Sequence, residues 1–180
     1  MRYVGRSVLE KISWYTNAME FSIREYKDSD RDALVKCMVE LQEYVMSVDP
    51  RMLVQCKPEF GELYTVWLLN LLKENSGIVY FAEVNGKIIG CAAGIMPAHE
   101  PQETAGGGPI KYGRVQEMYV DANYRGAGVG KVLMEKTEEY FRKSGCDTVY
   151  VEVFAPNKSA HEFYKICGYA DRDINLMKKL

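Results

Sequence analysis

An alternating apolar run that breaks into a glycine-rich turn, and then directly into an amphipathic helix, constrains this chain more than any other feature. Residues 115 to 133 read VQEMYVDANYRGAGVGKVL. Alternation predicts a strand that sends Val115, Glu117 and Tyr119 to one face and Gln116, Met118 and Val120 to the other. The turn is Arg125-Gly126-Ala127-Gly128-Val129-Gly130, followed at once by Lys131 and the helix. Such a turn leaves backbone N–H groups directed outward at the positive end of the helix dipole. That arrangement holds phosphate without needing many cationic side chains. The same glycines also arise simply to close a strand against a helix.

Two phosphate-binding motifs fail on counting. A dinucleotide fingerprint spaces its glycines G-x-G-x-x-G; started at Gly126, the third place falls on Lys131. A P-loop needs glycine first and Ser or Thr last in G-x-x-x-x-G-K-[ST]; Arg125 and Val132 occupy those places. What remains is Arg-x-x-Gly-x-Gly between a strand and a helix.

A second segment, VYVEVFAPNKSAHEFYKICGY over 149–169, carries a complementary signal. Val149, Val151 and Val153 alternate with Tyr150, Glu152 and Phe154, which predicts a strand. Pro156 and Asn157 then mark a helix start, asparagine being a favoured N-cap. Ala160, Phe163, Tyr164 and Cys167 form the stripe of a helix packed on a sheet, and Gly168 stands at the usual C′ position.

Arg-x-x-Gly-x-Gly followed by Asn-x-x-Ala-x-x-Phe-Tyr-x-x-x-Gly-Tyr, each in its structural context, resembles the two signatures of the GNAT superfamily of N-acetyltransferases. The resemblance spans about residues 20 to 180. It implies a mixed, mostly antiparallel central sheet flanked by helices, and transfer of an acetyl group from acetyl-CoA directly to a primary amine, with no metal. It further implies that the pantetheine arm lies along the backbone of Met118, Tyr119 and Val120. Arg125, Gly126, Ala127, Gly128, Val129 and Gly130 would cradle the pyrophosphate, with Lys131 adding charge. Tyr164 matches the family tyrosine that lies near the coenzyme sulfur as general acid, although its place on the apolar stripe also suits a core residue. Asn157 matches a pantetheine-contacting position, although its capping role alone accounts for it.

The amine must lose a proton before attack, so a carboxylate or a water chain is expected beside it. Glu117 is the first choice of base and Glu152 the second. Gln116 occupies a neighbouring place where some relatives carry a carboxylate. His99, Glu100 and Glu103 are more distant candidates. A non-catalytic acyl-CoA-binding or sensor module on the same fold is the alternative reading; it would keep the glycine loop and has no need of Tyr164 and Glu117.

The remaining pattern completes one α/β layered domain. With 180 residues, 47% of them hydrophobic, the chain suffices for one domain with a real core. Residues 1–18, with Arg2, Arg6 and Lys11 but no apolar run, read as an N-terminal extension rather than a secretory signal. The domain is placed at 19–180. A strand at 19–26 precedes a helix reaching about 47, with Asp28, Ser29 and Asp30 as cap candidates. A second helix, about 58–74, carries Phe60, Leu63, Val66, Trp67 and Leu71. Two apolar runs flank Asn85-Gly86, a β-hairpin signal. Residues 97–113 read as a long loop, 128–144 as a helix with pairs Glu138–Arg142 and Glu139–Lys143, and 174–180 as a final strand.

Charge and composition exclude several classes. A net charge of −2 without a basic stripe argues against a nucleic-acid partner, and no run of eighteen apolar residues argues against a membrane span. Cys37, Cys56, Cys91, Cys146 and Cys167 are scattered, as expected of reduced, mostly buried thiols in a cytoplasmic protein. The expected partner is a small-molecule or peptide amine. The sequence leaves the acceptor open, and a homodimer as well.

Overall fold

Asn85 and Gly86 both hold positive φ, 50° and 78°, in the two-residue turn that the Asn-Gly signal predicts. The turn joins β2 (Ile78–Val84) to β3 (Lys87–Ile95), the centre of the sheet. The computed structural model describes residues 19–98 and 111–178. The extension at 1–18 and most of the predicted loop, including His99, Glu100 and Glu103, lie outside the described residues.

In chain order the other elements are β1 (Ser22–Glu25), α1 (Arg31–Ser47), α2 (Phe60–Glu74), β4 (Tyr112–Val120), α3 (Val129–Lys143), β5 (Thr148–Val151) and α4 (Lys158–Ile166). The five strands lie in sequence order, antiparallel except for the parallel pair β4–β5. Helices α1 and α2 cover one face, where Leu34, Met38, Leu68 and Leu72 pack with Phe81, Cys91, Ile95 and Tyr119. On the other face α3 packs Val129 and Leu133 against Ala82, Ile89 and Ala92. There Met134 and Phe141 of α3 meet Val115 and Tyr164 of α4. This mixed α/β layering is the fold class expected from the residues.

Phe141 is fully buried, and the sheet makes room for it with glycine. A Cβ on Gly113 would stand 2.4 Å from the Phe141 ring, and one on Gly94 would stand 2.5 Å from it. These two glycines let α3 settle closely onto β3 and β4. On α3, Glu139 pairs with Lys143 at 2.8 Å as predicted. Glu138 instead accepts a 2.9 Å hydrogen bond from the Tyr169 hydroxyl, tying α3 to the end of α4.

Several expectations are corrected. The buried face of α2 is Gly61, Thr65, Leu68 and Leu72, whereas Leu63, Val66 and Trp67 of the predicted stripe are 65%, 48% and 45% exposed. Gly61 explains the rotation, because a Cβ there would lie 2.6 Å from Val39 of α1, so the helices cross at that point. Asp28 to Asp30 form a 3-10 turn, and Asp30 caps nothing in α1. Its carboxylate accepts from the Lys27 N–H and is held by Arg24. Only Cys37 and Cys91 are buried; the other three thiols are half-buried.

No strand forms over the described part of the predicted final strand, 174–178. Asp171 pairs with His161 and Lys165 of α4, and beyond it Ile174 and Leu176 remain exposed. The strand predicted through Phe154 stops at Val151. Nor does β4 alternate throughout: Ala93 faces Glu117 while Gly94 faces Val115, so Gln116 is an extra residue in a β-bulge. The bulge puts Val115 on the α3 face, away from Glu117 and Tyr119.

Candidate active site

Strands β4 and β5 run together only from Tyr112–Thr148 to Val115–Val151. At the bulge they part. Beyond it β4 continues to Val120 paired with β3 alone, while residues 152–157 leave the sheet. A cavity of about 200 Å³ opens in the gap. Its floor is Val115 to Met118; α1 and α2 supply one wall, and Val151 to Phe154, Asn157, Ala160 and Tyr164 supply the other.

Glu117 projects into this cavity toward α2. Burial pushes its carboxyl up from the usual carboxylate range to about 7, although hydrogen bonds from Tyr64 and Gln116 pull the other way. The Tyr64 hydroxyl donates to the Glu117 carboxylate. Burial and the Glu117 charge in turn raise the Tyr64 phenol well above its ordinary range. The Tyr64 ring is braced by Phe60 at 5.0 Å and Trp67 at 4.9 Å, centroid to centroid. A carboxyl that titrates near neutrality beside a cleft suits proton transfer.

Tyr164 reaches the cavity from the opposite wall. It is buried on the α4 stripe between Phe163 and Tyr169, yet it also lines the gap, so the core and site readings are compatible. Burial first, and then the Glu117 charge, raise its phenol above the ordinary tyrosine value. Its hydroxyl makes no hydrogen bond to the described residues. A phenol so raised stays protonated through the neutral range.

Asn157 holds α4 in place. Its side-chain oxygen accepts the Ala160 N–H at 3.1 Å, a helix cap worth about 1 kcal/mol. The same side chain lines the cavity.

The glycine turn lies beyond the open edge of β4. Asp121 accepts the Asn123 N–H at 2.9 Å and starts the turn. Arg125 donates from Nε to the Val120 carbonyl at 3.0 Å, and its guanidinium stands 4.5 Å above the Tyr44 ring. Gly126, Ala127 and Gly128 are exposed, and Gly128 caps α3 at φ 85°. The Val132 N–H donates to the Gly128 carbonyl at 3.1 Å, which leaves the earlier N–H groups of α3 without helical acceptors. Val129 anchors the turn in the core. Gly130 faces α4, where a Cβ would lie 3.2 Å from Phe163. Lys131 stands on the exposed face, 4.0 Å from Glu135.

Met118, Tyr119 and Val120 pair with β3 along one edge only. The Tyr119 hydroxyl donates to Glu40, so this side chain serves the α1 face. The runner-up Glu152 has a side chain 85% exposed and 3.6 Å from Arg114, at the mouth rather than the floor. The sequence reading missed Tyr64. It lies 53 residues from Glu117 in the chain, and no local pattern signals a contact that only the packing of α2 creates. Among the described residues no cluster of His, Cys, Asp or Glu is arranged to hold a metal ion. No helix among them is long and apolar enough to cross a membrane.

The sequence matches the Acetyltransferase (GNAT) family profile over residues 42–169. An uncharacterized N-acetyltransferase of Methanocaldococcus jannaschii is 31% identical over 121 residues, 66% of this chain and 49% of the relative. A glucosamine 6-phosphate N-acetyltransferase of Trypanosoma brucei brucei is 30% identical over 101 residues, 54% of this chain and 63% of its own length. The chain thus spans between about half and two thirds of these relatives. Among solved structures, a predicted acetyltransferase from Clostridium acetobutylicum, determined with acetyl-CoA, superposes with a TM-score of 0.68 at 21% identity, over 89% of this chain and 96% of that one. At that identity the likeness shows the fold.

Proposed function

The chain belongs to the GNAT family of acetyltransferases, and we propose that it transfers an acetyl group from acetyl-CoA directly to a primary amine. One observation carries this reading: Glu117 and Tyr164, an acid–base pair of suitable chemistry, line the floor and one wall of the gap where β4 and β5 part. In this reading the pantetheine arm adds to the open edge of β4 at Met118, Tyr119 and Val120, as an extended peptide adds to a sheet. The diphosphate rests on the N–H groups of residues 125–130 at the start of α3, with Lys131 nearby. Asn157 orients the arm from the α4 side.

Glu117 takes the proton from the ammonium of the acceptor, and the free amine attacks the thioester carbonyl. A backbone N–H of β4 supports the developing oxyanion, an effect of roughly 2.7–4 kcal/mol in other acyl-transfer enzymes. The carbon–sulfur bond then breaks, Tyr164 gives its proton to the departing thiolate, and the second proton of the acetylated nitrogen passes to the Tyr164 phenolate and restores it. The products are the acetamide and free coenzyme A.

The direct test incubates the protein with acetyl-CoA and a panel of primary amines while free thiol is followed. Amine-dependent thiol release is the expected result. Tight coenzyme binding without release from any amine would replace the transferase with a sensor module.

A further inference from the structure

We propose that the acceptor is a primary amine carried on an uncharged, apolar body, and not a phosphorylated or polycationic amine. The inference rests on the transferase reading and deepens it.

The wall of the cavity opposite α4 comes from two helices. Met38, Leu41 and Val45 recur along one side of α1, and Phe60 and Tyr64 stand one turn apart on α2. Met38 is almost fully buried. Into this apolar wall projects one buried carboxyl group, that of Glu117, already held by Tyr64. It provides for one ammonium group.

No lysine or arginine lines the cavity among the described residues. At the mouth Arg114 and the cavity-lining Glu152 stand 3.6 Å apart and offset one another, and Arg125 is engaged by the Val120 carbonyl and the Tyr44 ring. Arg51 donates to the Met177 carbonyl. A phosphate or carboxylate on the acceptor would therefore lose its water without gaining a cation. A second ammonium would face the same loss against Leu41 and Val45.

The rim continues the pattern. Gln42 lines the cavity and donates to the Gln55 carbonyl at 2.8 Å, which brings the α1–α2 connection to its edge. Asp49 fixes that connection by accepting the N–H groups of Arg51, Leu53 and Val54 at 2.9, 2.7 and 2.8 Å. The segment so fixed presents Met52 and Leu53 to solvent, 84% and 58% exposed. An apolar body that outgrows the cavity meets more apolar surface there. Its source is a free amine or the first residue of a peptide, and the two differ beyond the rim.

The test measures kcat/KM on the full chain, at saturating acetyl-CoA, for 2-phenylethylamine, a phenylalanine-initiated tripeptide amide, glucosamine 6-phosphate and spermidine. One of the first two should exceed both of the others by at least about tenfold, and which one leads identifies the source. Val45→Arg should lower that preference by about tenfold or reverse it, with coenzyme affinity unchanged as the check on folding. A preference for glucosamine 6-phosphate or spermidine overturns the assignment and keeps the transferase, as does a Val45→Arg protein with unaltered preference. If no amine is acetylated, the transferase reading fails. Calorimetric titration of 2-phenylethylamine and the tripeptide amide into the coenzyme-loaded protein then decides the acceptor class, and absence of binding by both overturns it.

Discussion

The Tyr64 hydroxyl on α2 donates a hydrogen bond to the Glu117 carboxylate on β4, and so joins the helical wall of the cavity to its floor. That bond opposes the effect of burial. Without it the carboxyl would rise above about 7, because the ionised form would lose its strongest support.

Tyr64→Phe should therefore move the rising limb of the pH–rate profile to higher pH. As the proposed base, Glu117 would accept a proton only when ionised, so activity should climb as pH rises through its pKa. Near neutrality the variant should be markedly slower, and in mild alkali it should recover toward the wild-type rate. Measurement of kcat/KM from roughly pH 6 to about pH 9.5 checks this. Equal slowing at every pH would mean that Tyr64 only shapes the wall.

Glu117→Gln should abolish most of the turnover and also stabilise the fold in alkali. The folded carboxyl titrates near 7, above its ordinary value of 4.5. Its contribution to stability is thus fully present below the unfolded value and is lost as pH rises through about 7. Above that point the wild type holds a buried charge that the glutamine variant lacks, a difference on the order of 3 kcal/mol at most. Thermal melts should put the variant above wild type at about pH 8.5, with the gap closing by about pH 5.

Features encoded within a few residues were legible in the sequence. Asn85-Gly86 announced its hairpin, Asn157 its helix start, and the Arg125–Gly130 turn its place before α3, because turn and cap chemistry is local. Glu117 and Tyr164, singled out through the GNAT resemblance and the need for a base, both line the cavity. What escaped was tertiary. The Gln116 bulge inverts Val115 against Glu117, yet its apolar alternation looks like that of a regular strand. On α2, Leu63, Val66 and Trp67 formed as plausible a stripe as the real one, and only the close approach of Gly61 to α1 decides between them. The final strand did not form: beyond the Asp171 pairs with α4, Ile174 and Leu176 are exposed and find no sheet to cover.

Tyr164→Phe keeps the ring that packs between Phe163 and Tyr169 and removes only the hydroxyl. Stability should change little, since that hydroxyl bonds to none of the described residues. Turnover should fall by about 10²–10⁴, the usual worth of a positioned proton donor, while coenzyme affinity stays nearly intact. Titration calorimetry beside steady-state rates separates the two. Unchanged turnover would remove Tyr164 from the acid role.

Gly113→Ala tests the packing that holds β4 under α3. The added methyl would stand 2.4 Å from the Phe141 ring, which is fully buried. Overpacking of this kind costs about 1–3 kcal/mol, and it should appear as a lower urea midpoint with an unaltered slope. Phe141→Leu in the same background should recover part of the loss, because the smaller side chain vacates the contact. A midpoint equal to wild type would mean that α3 can lift from the sheet at no cost.

At the glycine turn before α3, charge and backbone strain must be told apart. Gly128 holds φ 85°, so any side chain there pays the left-handed penalty of roughly 1–2 kcal/mol. No atom lies within 4 Å of where its Cβ would be, so a side chain meets open space and the surrounding packing is untouched. Gly128→Ala therefore carries the strain alone, and Gly128→Glu adds a carboxylate beside the N–H groups at the start of α3. If the coenzyme diphosphate rests there, the alanine variant should bind it nearly as well as wild type. The glutamate variant should bind at least about tenfold more weakly, with a deficit that shrinks as salt screens the repulsion. Equal affinity in both variants, by titration of coenzyme A, would move the diphosphate elsewhere on the protein.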